Sequence, residues 1–379
     1  MATSRVIVIG GGIGGLAAGI ALQRAGIEVE VYERTPELQE LGAGLSLWAN
    51  AIKVLDKMGV AEVVRALSAP GISGGIRSAE GEVLVGVSAS ELRQRFGEVS
   101  VVVHRAELQE ALFEVLGREH VHLGAEFTGF TEEREGVTAH FADGRRVQGD
   151  ALIGADGIHS RVRAQIHGDQ KPIYAGYTAW RAVVPFDHQR LLPGESWGSV
   201  ARFGQLGMSD GRVYWFATRN APEGARSPDG EKAELLRTFR GWHAPIEALI
   251  KATDEAAILR HDIYDRPTLE RWGNGRVTLL GDAAHPMTPN LGQGACQALE
   301  DAVVLAESLS ASRSAVSALR AYEARRVPRA NAIVKQSRRL GQVGQWQGRL
   351  ALTVREMLLR KVVPLVQSWQ AEQILGYEV

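Results

Sequence analysis

RVIVIGGGIGG, residues 5–15, decides the fold of this chain together with the segment that follows it as far as Glu33. Residues Arg5 to Gly10 read as a short β-branched strand, and Ile13 to Ala25 read as a helix rich in alanine and leucine. Glu28 to Glu33 reads as a second strand. The sequence therefore predicts a βαβ unit, the opening of a Rossmann-like α/β domain.

The glycines of the turn have distinct expected roles in binding a nucleotide. Gly10 permits the tight turn, Gly12 lets the backbone approach a pyrophosphate, and Gly15 lets helix and strand pack closely. The helix N-terminus would face the phosphates. Glu33 follows Gly15 by eighteen residues, close to the distance at which such folds place an acid on a ribose. Its charge would repel a 2′-phosphate, so we expect FAD or NAD rather than NADP as the resident nucleotide.

Two later segments carry the same kinds of residue. The first, Gly154-Ala-Asp156-Gly157, follows a predicted strand; by itself, Asp-Gly is a common turn dipeptide. The second, VTLLGDAAHPMTPNLGQG at residues 277–294, places Asp282 at a strand end, before a loop with two prolines and a helix N-terminus. An acid there can bind polyol hydroxyls, and helix amides can stabilise negative charge on a flavin pyrimidine ring. Together with the first motif, these segments indicate a flavin.

The composition limits the class of protein. The chain has 379 residues, 45% of them hydrophobic and 23% charged, which is typical of a globular protein with a large core. A net charge of -1 provides no field for a polyanion, so we expect no nucleic-acid partner. The apolar run Val6 to Leu22 contains six glycines, so we interpret it as folded structure rather than a membrane segment.

The single cysteine, Cys296, excludes an internal disulfide framework and a zinc site built on cysteine pairs. We expect no metal site, a cytoplasmic location, no membrane partner, and a monomer or homodimer. Cys296 lies in a predicted helix, and no His or acid is spaced along the sequence so as to act as a partner of its thiol. This predicts a buried inert thiol.

The order of the elements predicts a discontinuous first domain. We expect a FAD-binding domain at 1–70, 98–172 and 266–340, and a smaller domain with a mixed β-sheet, for the substrate, at 71–97 and 173–265. Residues 341–379 are expected to form C-terminal helices. No second glycine fingerprint follows a strand, so a nicotinamide cofactor would dock transiently.

In this order and spacing, the three motifs resemble the signatures of the single-component FAD-dependent aromatic hydroxylases of the para-hydroxybenzoate hydroxylase type, with urate, salicylate and 3-hydroxybenzoate hydroxylases nearest in pattern. The resemblance covers nearly the whole chain and implies a glutathione-reductase-like FAD domain. It implies that Glu33 binds the adenosine ribose, that Arg105 and Asp282 bind the FAD linker, and that Asp156 serves both FAD and the reductant. The full expected cofactor set is Gly10, Gly12, Ile13, Gly14, Gly15, Glu33, Arg34, Gly44, Arg105, Asp156, Gly281, Asp282, Pro289, Gly292, Gln293 and Gly294.

The resemblance also implies the reaction. NADH or NADPH would reduce FAD, and O2 would form a flavin 4a-hydroperoxide that hydroxylates a small aromatic or heteroaromatic substrate. Such a species must be shielded from water, which predicts an apolar lining. The candidates for that lining are Leu45, Leu47, Trp48, Trp180, Phe203, Phe216 and Met287.

The substrate end is expected on a hairpin closed by Ser209-Asp210-Gly211. If Met208 opposes Arg212, then Arg202 and Tyr214 face the same side, roughly 13 Å apart along the strands; a register change of one residue would separate them. Their spacing resembles an arginine and a tyrosine of urate hydroxylases.

Three catalytic residues are expected. Arg202 would anchor the substrate and Tyr214 would hydrogen-bond its ring hydroxyl. The context of Arg181 is more similar to salicylate and hydroxybenzoate hydroxylases, and this residue is either a second anion-binding group or a surface arginine.

Two other functions stay open at this point. A same-family epoxidase or natural-product tailoring oxygenase would act on a larger substrate, and a flavin redox sensor would bind the cofactor without turnover. The arginine-rich run of Arg325, Arg326, Arg329, Lys335, Arg338 and Arg339 is expected to be a solvated helix face.

Overall fold

The first sheet of the protein is parallel and begins with the predicted βαβ unit. A computed structural model describes residues 5–38, 43–68, 74–98, 100–361, 363 and 371–379. The strand order in this sheet is β17-β11-β1-β2-β7, with every described pairing parallel. Its strands are β1 (Arg5–Ile9), β2 (Glu28–Tyr32), β7 (Val121–His122), β11 (Ala151–Gly154) and β17 (Val277–Leu279).

Helices pack on this sheet because its strands are apolar on both faces, as expected for a parallel sheet. Residues of β1, for example Val6, Ile7 and Val8, are fully buried. The helices of this part are α1 (Ile13–Arg24), α2 (Ala49–Lys57), α3 (Ala61–Ala66), α5 (Arg105–Leu116), α6 (Arg161–His167), α9 (Gly294–Ser310) and α10 (Ala315–Gly344).

The second large sheet is mixed and has the order β16-β12-β15-β14-β13-β4-β5. Only the β13–β4 pairing among its described pairings is parallel. Its strands are β4 (Gly74–Ser78), β5 (Val83–Val87), β12 (Ile173–Pro185), β13 (Gly194–Trp197), β14 (Ala201–Gly207), β15 (Arg212–Asn220) and β16 (Leu259–Asp265).

One face of the mixed sheet forms a second core with α7 (Glu231–Thr238) and α8 (Ile246–Ala252). Trp180 and Phe203 belong to this core and are at most 1% exposed. The opposite face of the sheet carries Arg181, Arg202 and Tyr214.

Smaller elements complete the fold. The predicted α/β class, with a parallel sheet, a mixed sheet and C-terminal helices, is confirmed, whereas the domain boundaries stay a prediction. In the described part of the chain, no helix is long and apolar enough to cross a bilayer. The remaining elements are β3 (Gly44–Leu47), β6 (Val101–His104), β8 (Phe127–Glu132), β9 (Val137–Phe141), β10 (Arg146–Gly149), α4 (Ala89–Phe96) and α11 (Arg349–Lys361).

The prediction of a solvated arginine face on α10 is wrong for two of its members. Arg326 is fully buried, with Nη1 at 2.5 Å from Glu300 Oε2 and Nε at 2.6 Å from Asp301 Oδ1. Arg329 donates from Nε to Glu300 and from Nη1 and Nη2 to the carbonyl oxygens of Gln373 and Ile374. Sequence spacing did not show that two acids on α9 would face this helix.

Candidate active site

The glycine turn between β1 and α1 packs tightly against its surroundings at Gly10 and Gly15 and is open at Gly12. Gly10 has φ +111°, and a Cβ atom there would collide with the carbonyl oxygen of Ala155. A Cβ atom at Gly15 would overlap the carbonyl oxygen of Gly10, whereas one at Gly12 would meet nothing within 4 Å. Gly14 packs against Leu280. The free space at Gly12 and the uncapped N-terminus of α1, which starts at Ile13, suit a phosphate group.

Glu33 is oriented by the turn that it follows. Its Oε2 accepts a hydrogen bond from the Gly11 amide at 2.7 Å, and its Oε1 accepts one from the Thr35 amide at 3.0 Å. Arg34, the next residue, is exposed. The carboxylate of Glu33 is thereby fixed at the end of β2, on the wall of a cleft that also contains Gly12.

This cleft has a volume of about 350 Å³ and receives residues from both large sheets and from α5. Arg105 and Gln109 come from α5, and the Gln109 amide donates to the Gly11 carbonyl at 2.8 Å. The cleft is lined by Gly12, Glu33, Thr35, Ala43, Arg105, Gln109, Arg181, Leu259 and His261.

Asp156 lies directly beside the glycine turn. Its amide nitrogen would be 2.9 Å from a Cβ atom at Gly10. Its Oδ2 accepts hydrogen bonds from the amides of Arg161, at 2.7 Å, and Val162, at 3.3 Å, and so caps α6. Burial raises the pKa of this carboxyl group, and these hydrogen bonds oppose the shift. The role of Asp156 toward FAD and the reductant stays a prediction.

The third motif packs beside the glycine turn, where Leu280 contacts Gly14. Gly281 has φ +60°, and its amide donates to Asp301 Oδ2 at 3.0 Å. Asp282 is open to solvent although it lies deep among protein atoms, which places it on the wall of a cleft. This depth raises the pKa of its carboxyl group, which the charges of His285 and Arg105 oppose.

The N-terminus of α9 is open toward Asp282. Gly292 has φ +61°, and a Cβ atom at Gly294 would meet nothing closer than Asp282 Oδ1 at 3.9 Å. The side chain of Gln293 is held by Asn50 in the interior, so only its backbone is available here. The first turn of α9 has no acid and no side-chain cap, so its amides are free to donate.

These features fit FAD. The indole Nε1 of Trp48 lies beside Gly292. This nitrogen is buried and has no hydrogen-bond partner among the described residues. The open N-terminus of α1 suits a pyrophosphate, Glu33 suits a ribose, and the donors near Pro289 and Gly294 suit the carbonyl oxygens of a flavin ring. Pro289 is exposed at the start of the turn that precedes α9.

The hairpin β14–β15 has the register on which the substrate prediction depended. The Met208 amide donates to the Arg212 carbonyl at 2.8 Å, and Leu206 pairs with Tyr214. Arg202 pairs with Thr218 on the same strands. Arg202 and Tyr214 therefore lie on the same face of the sheet.

Arg202 has only internal partners and is 2% exposed. Its guanidinium lies 3.2 Å from Glu195 Oε1, donates to Thr218 Oγ1 at 3.1 Å and donates to Asn290 Oδ1 at 2.9 Å. The side-chain nitrogen of Asn290 donates in turn to Tyr177 and to two further residues, Thr288 and Ser337. Asn290 and Thr288 belong to the cofactor loop, which joins β17 to α9. The structure thus joins Arg202 to the loop that contains Asn290, and its expected role as a substrate anchor stays a prediction.

Tyr214 and Arg181 form the other part of this face. Tyr214 is 7% exposed, its ring lies directly on Gly44, and the charge of the Arg181 side chain acts on its hydroxyl. Burial raises the pKa of Tyr214, and Arg181 opposes the shift. Arg181 is the member of the predicted catalytic set that lines the cleft.

The predicted apolar lining needs a correction. Trp180 and Phe203 face the second core, on the other side of the mixed sheet, and Leu47 is fully buried in the first core. Phe216 lies over Gly204 on the face of Tyr214, with ring centroids 6.0 Å apart. Because side chains alternate along a strand, the register shows which residues of the mixed sheet face the second core and which share the face of Tyr214.

Sequence reasoning missed several residues of the site. Asn290 lies inside the quoted third motif, and His261 lies on β16 at the same alternation as Leu259. Arg163 was also missed; its guanidinium donates to the carbonyl oxygens of Ala283 and Ala284, at 3.0 and 2.9 Å, and so joins α6 to the third motif. Of these three residues, Asn290 alone offered a signal in the sequence: a side chain with an amide group inside the third motif.

Behind the loop, His285 and Cys296 have structural settings. His285 Nε2 is 2.6 Å from Asp301 Oδ2, and both side chains are fully buried. Burial raises the pKa of the Cys296 thiol to about 12. The predicted buried thiol is confirmed.

Comparison with known proteins gives consistent results. Residues 3–337 match the family described as FAD binding domain. Aurachin C monooxygenase/isomerase of Stigmatella aurantiaca is 46% identical over 357 residues, which cover 94% of this chain and 93% of that protein. FAD-dependent urate hydroxylase of Klebsiella pneumoniae is 39% identical over 342 residues, or 88% of this chain and 89% of that protein. The crystal structure of Klebsiella pneumoniae HpxO complexed with FAD and uric acid superposes with a TM-score of 0.92 at 35% identity, covering 98% of this chain and 97% of that one.

Proposed function

This chain belongs to the class A FAD-dependent monooxygenases, and from that premise we propose that it uses NADH or NADPH and O2 to hydroxylate a small aromatic or heteroaromatic compound. One observation carries the proposal. The glycine turn with Glu33 borders a cleft that the mixed sheet also lines through Arg181, and the charge of Arg181 acts on the hydroxyl of Tyr214.

The chemistry that bound FAD supplies is acceptance of a hydride from the nicotinamide and delivery of one oxygen atom to the substrate. The protein supplies binding and orientation. The amides at the start of α1 and Glu33 hold the dinucleotide end, and the amides at the start of α9 stabilise negative charge near the flavin. Asp282 is placed to hold hydroxyl groups between them.

On the substrate side, Tyr214 acts as a neutral hydrogen-bonding group. Because burial raises the pKa of its hydroxyl, the group stays protonated at neutral pH and can donate to a ring substituent. Arg181, whose charge acts on this hydroxyl, favours negative charge that develops on a substrate oxygen nearby. Arg202 acts through Asn290, because it holds the loop from Pro289 to Gly292 against the mixed sheet.

A substrate screen tests the proposal. Purified protein is expected to be yellow and to oxidise NADH or NADPH faster when the correct phenol, hydroxybenzoate or purine is added. Hydrogen peroxide is measured alongside, because uncoupled turnover releases it without oxygenating the substrate. Protein that binds no FAD, or that oxidises NAD(P)H without forming an oxygenated product from any compound, would contradict the proposal.

A second candidate follows from the relative that acts on aurachin C. The identity to that protein favours oxygenation of a compound of the aurachin C type. Aurachin C and urate therefore belong in the same screen, at equal concentration. Product from aurachin C alone would favour this second candidate over a small hydroxybenzoate or purine.

A further inference from the structure

The mixed sheet contributes residues to the wall of the cofactor cleft, which also contains Gly12 of the glycine turn. Arg181 of β12 pairs with Leu259 of β16, and Ala179 pairs with His261. Because side chains alternate along a strand, Arg181, Leu259 and His261 lie on one face of the sheet. All three line the cleft that contains Gly12.

This wall carries positive charge without an acidic partner of its own. Neighbouring Arg202 and Arg260 are paired with Glu195 and Asp262, at 3.2 Å each. By contrast, no carboxylate oxygen of the described residues lies within 4.0 Å of a guanidinium nitrogen of Arg181. Among the residues that line the cleft, the acid is Glu33, whose two oxygens already accept hydrogen bonds from Gly11 and Thr35.

The charges of this wall act on each other. Burial lowers the pKa of His261, and the positive charges of Arg181, Arg226, Arg105 and Arg260 lower it further. His261 is therefore neutral at pH 7. The two arginines that line the cavity, Arg105 and Arg181, repel each other, and an anion in the cavity would relieve that repulsion.

We propose that Arg181 and His261 bind the pyrophosphate of a dinucleotide from the side of the mixed sheet, opposite the amides of the α1 N-terminus. The inference rests on the proposed function, since it requires a dinucleotide in this cleft. Two sources share this chemistry: resident FAD, and the NADH or NADPH that reduces it. A cleft with donor amides on one wall and a guanidinium on the other matches a group with oxygens on both sides.

The position of Arg181 has a consequence for the substrate side. The charge of the same guanidinium acts on the hydroxyl of Tyr214. A phosphate that fixes Arg181 would therefore also fix the charge next to the Tyr214 hydroxyl. Occupation of the dinucleotide cleft would prepare the substrate face before the substrate arrives.

The test compares Arg181→Gln, His261→Gln and Arg226→Gln in apoprotein and in FAD-loaded protein. Arg226 is the matched control, because its side chain is 63% exposed and it acts on His261 without lining the cleft. FAD affinity is measured on apoprotein by quenching of flavin fluorescence. NADH and NADPH affinity is measured on FAD-loaded protein from the rate of anaerobic flavin reduction.

If FAD is the ligand, Arg181→Gln raises the Kd for FAD by about 10- to 100-fold, the loss expected for a hydrogen bond to a charged group. If the reductant is the ligand, the same variant raises the Kd for NADH or NADPH and leaves that for FAD unchanged. His261→Gln follows the same ligand with a smaller effect. Equal affinities in Arg181→Gln, Arg226→Gln and the wild type for all three nucleotides would overturn the inference.

Both affinities are measured without a substrate, which separates this inference from the proposed function. A protein that binds FAD through Arg181 but oxygenates no compound supports the inference and contradicts the proposed reaction. Circular dichroism melting of each apoprotein serves as the folding control, and Arg181→Lys, which keeps the charge, should recover part of the affinity.

Discussion

Tyr214 combines two opposing influences at a single hydroxyl group. Burial raises its pKa, whereas the guanidinium of Arg181 lowers it. Because burial dominates, the hydroxyl stays protonated throughout the pH range in which the protein would work, and it serves as a hydrogen-bond donor and acceptor rather than as a base.

The substitution Tyr214→Phe removes this hydroxyl and leaves the ring on Gly44. We expect coupled oxygenation to fall by about 10- to 100-fold, with a larger share of NAD(P)H oxidation ending as hydrogen peroxide, and FAD affinity to stay unchanged. The ratio of oxygenated product to NAD(P)H consumed measures the effect. Equal coupling in the variant and the wild type would show that Tyr214 does not contact the reacting ring.

His261 provides a prediction about pH. Its pKa is lowered by burial and by the charges of Arg181, Arg226, Arg105 and Arg260. A bound pyrophosphate would raise that pKa, so binding takes up a proton between the two values and becomes tighter as the pH falls through them. We expect the affinity for the nucleotide that Arg181 binds to rise as the pH falls through the range in which His261 gains its proton. Titrations of the wild type and His261→Gln between pH 5 and 8 check this, and the variant should lack the dependence.

At the scale of elements, the β1–α1 turn offers a matched pair of glycines. Gly12 has φ -74° and open space around it, so Gly12→Ala is expected to fold normally but to weaken FAD binding by at least about tenfold through contact with the phosphates. Gly15→Ala would overlap the Gly10 carbonyl oxygen and should reduce the free energy of unfolding by about 1–3 kcal/mol. Thermal melting of both apoproteins and FAD titration measure the two effects. If Gly12→Ala bound FAD like the wild type, the phosphates would not lie at this turn.

The same elements show how far the sequence could predict the structure. The βαβ unit was predictable because its signals are local: a β-branched strand, a glycine turn and an acid at a fixed distance. The common face of Arg202 and Tyr214 was predictable because a hairpin fixes strand register. The partner of Arg202 on the cofactor loop was not, since Asn290 lies 88 residues away.

At the scale of the whole molecule, the cofactor loop is supported by a buried ionic network that joins distant parts of the chain. Asp301 accepts from the Gly281 amide, contacts His285, and pairs with Arg326. Glu300 accepts from Asn50 of α2 and pairs with Arg329. Arg329 reaches the C-terminal segment and stacks on Tyr377 at 3.7 Å from the ring centroid.

Sequence analysis could not identify this network, because a run of arginines on a helix predicts a solvated face unless the acids opposite it are known. Arg325 fits that expectation: it is exposed and pairs with Glu307 on the surface. Arg326, the next residue along α10, points into the interior. A rotation of one residue along a helix, about 100°, separates a surface charge from a buried one.

This neighbouring pair allows a controlled prediction for the whole molecule. Arg326→Leu leaves Glu300 and Asp301 buried without one of their counter-charges, and breaking a buried ion pair from one side costs about 3–5 kcal/mol of stability. Arg325→Leu removes an exposed pair and should cost about 1 kcal/mol or less. Since Asp301 also holds Gly281 and His285, we expect Arg326→Leu to weaken FAD binding as well, even in the fraction that remains folded. Denaturant unfolding and FAD titration of both variants measure these effects, and similar stabilities for the two would mean that the network does not support the loop.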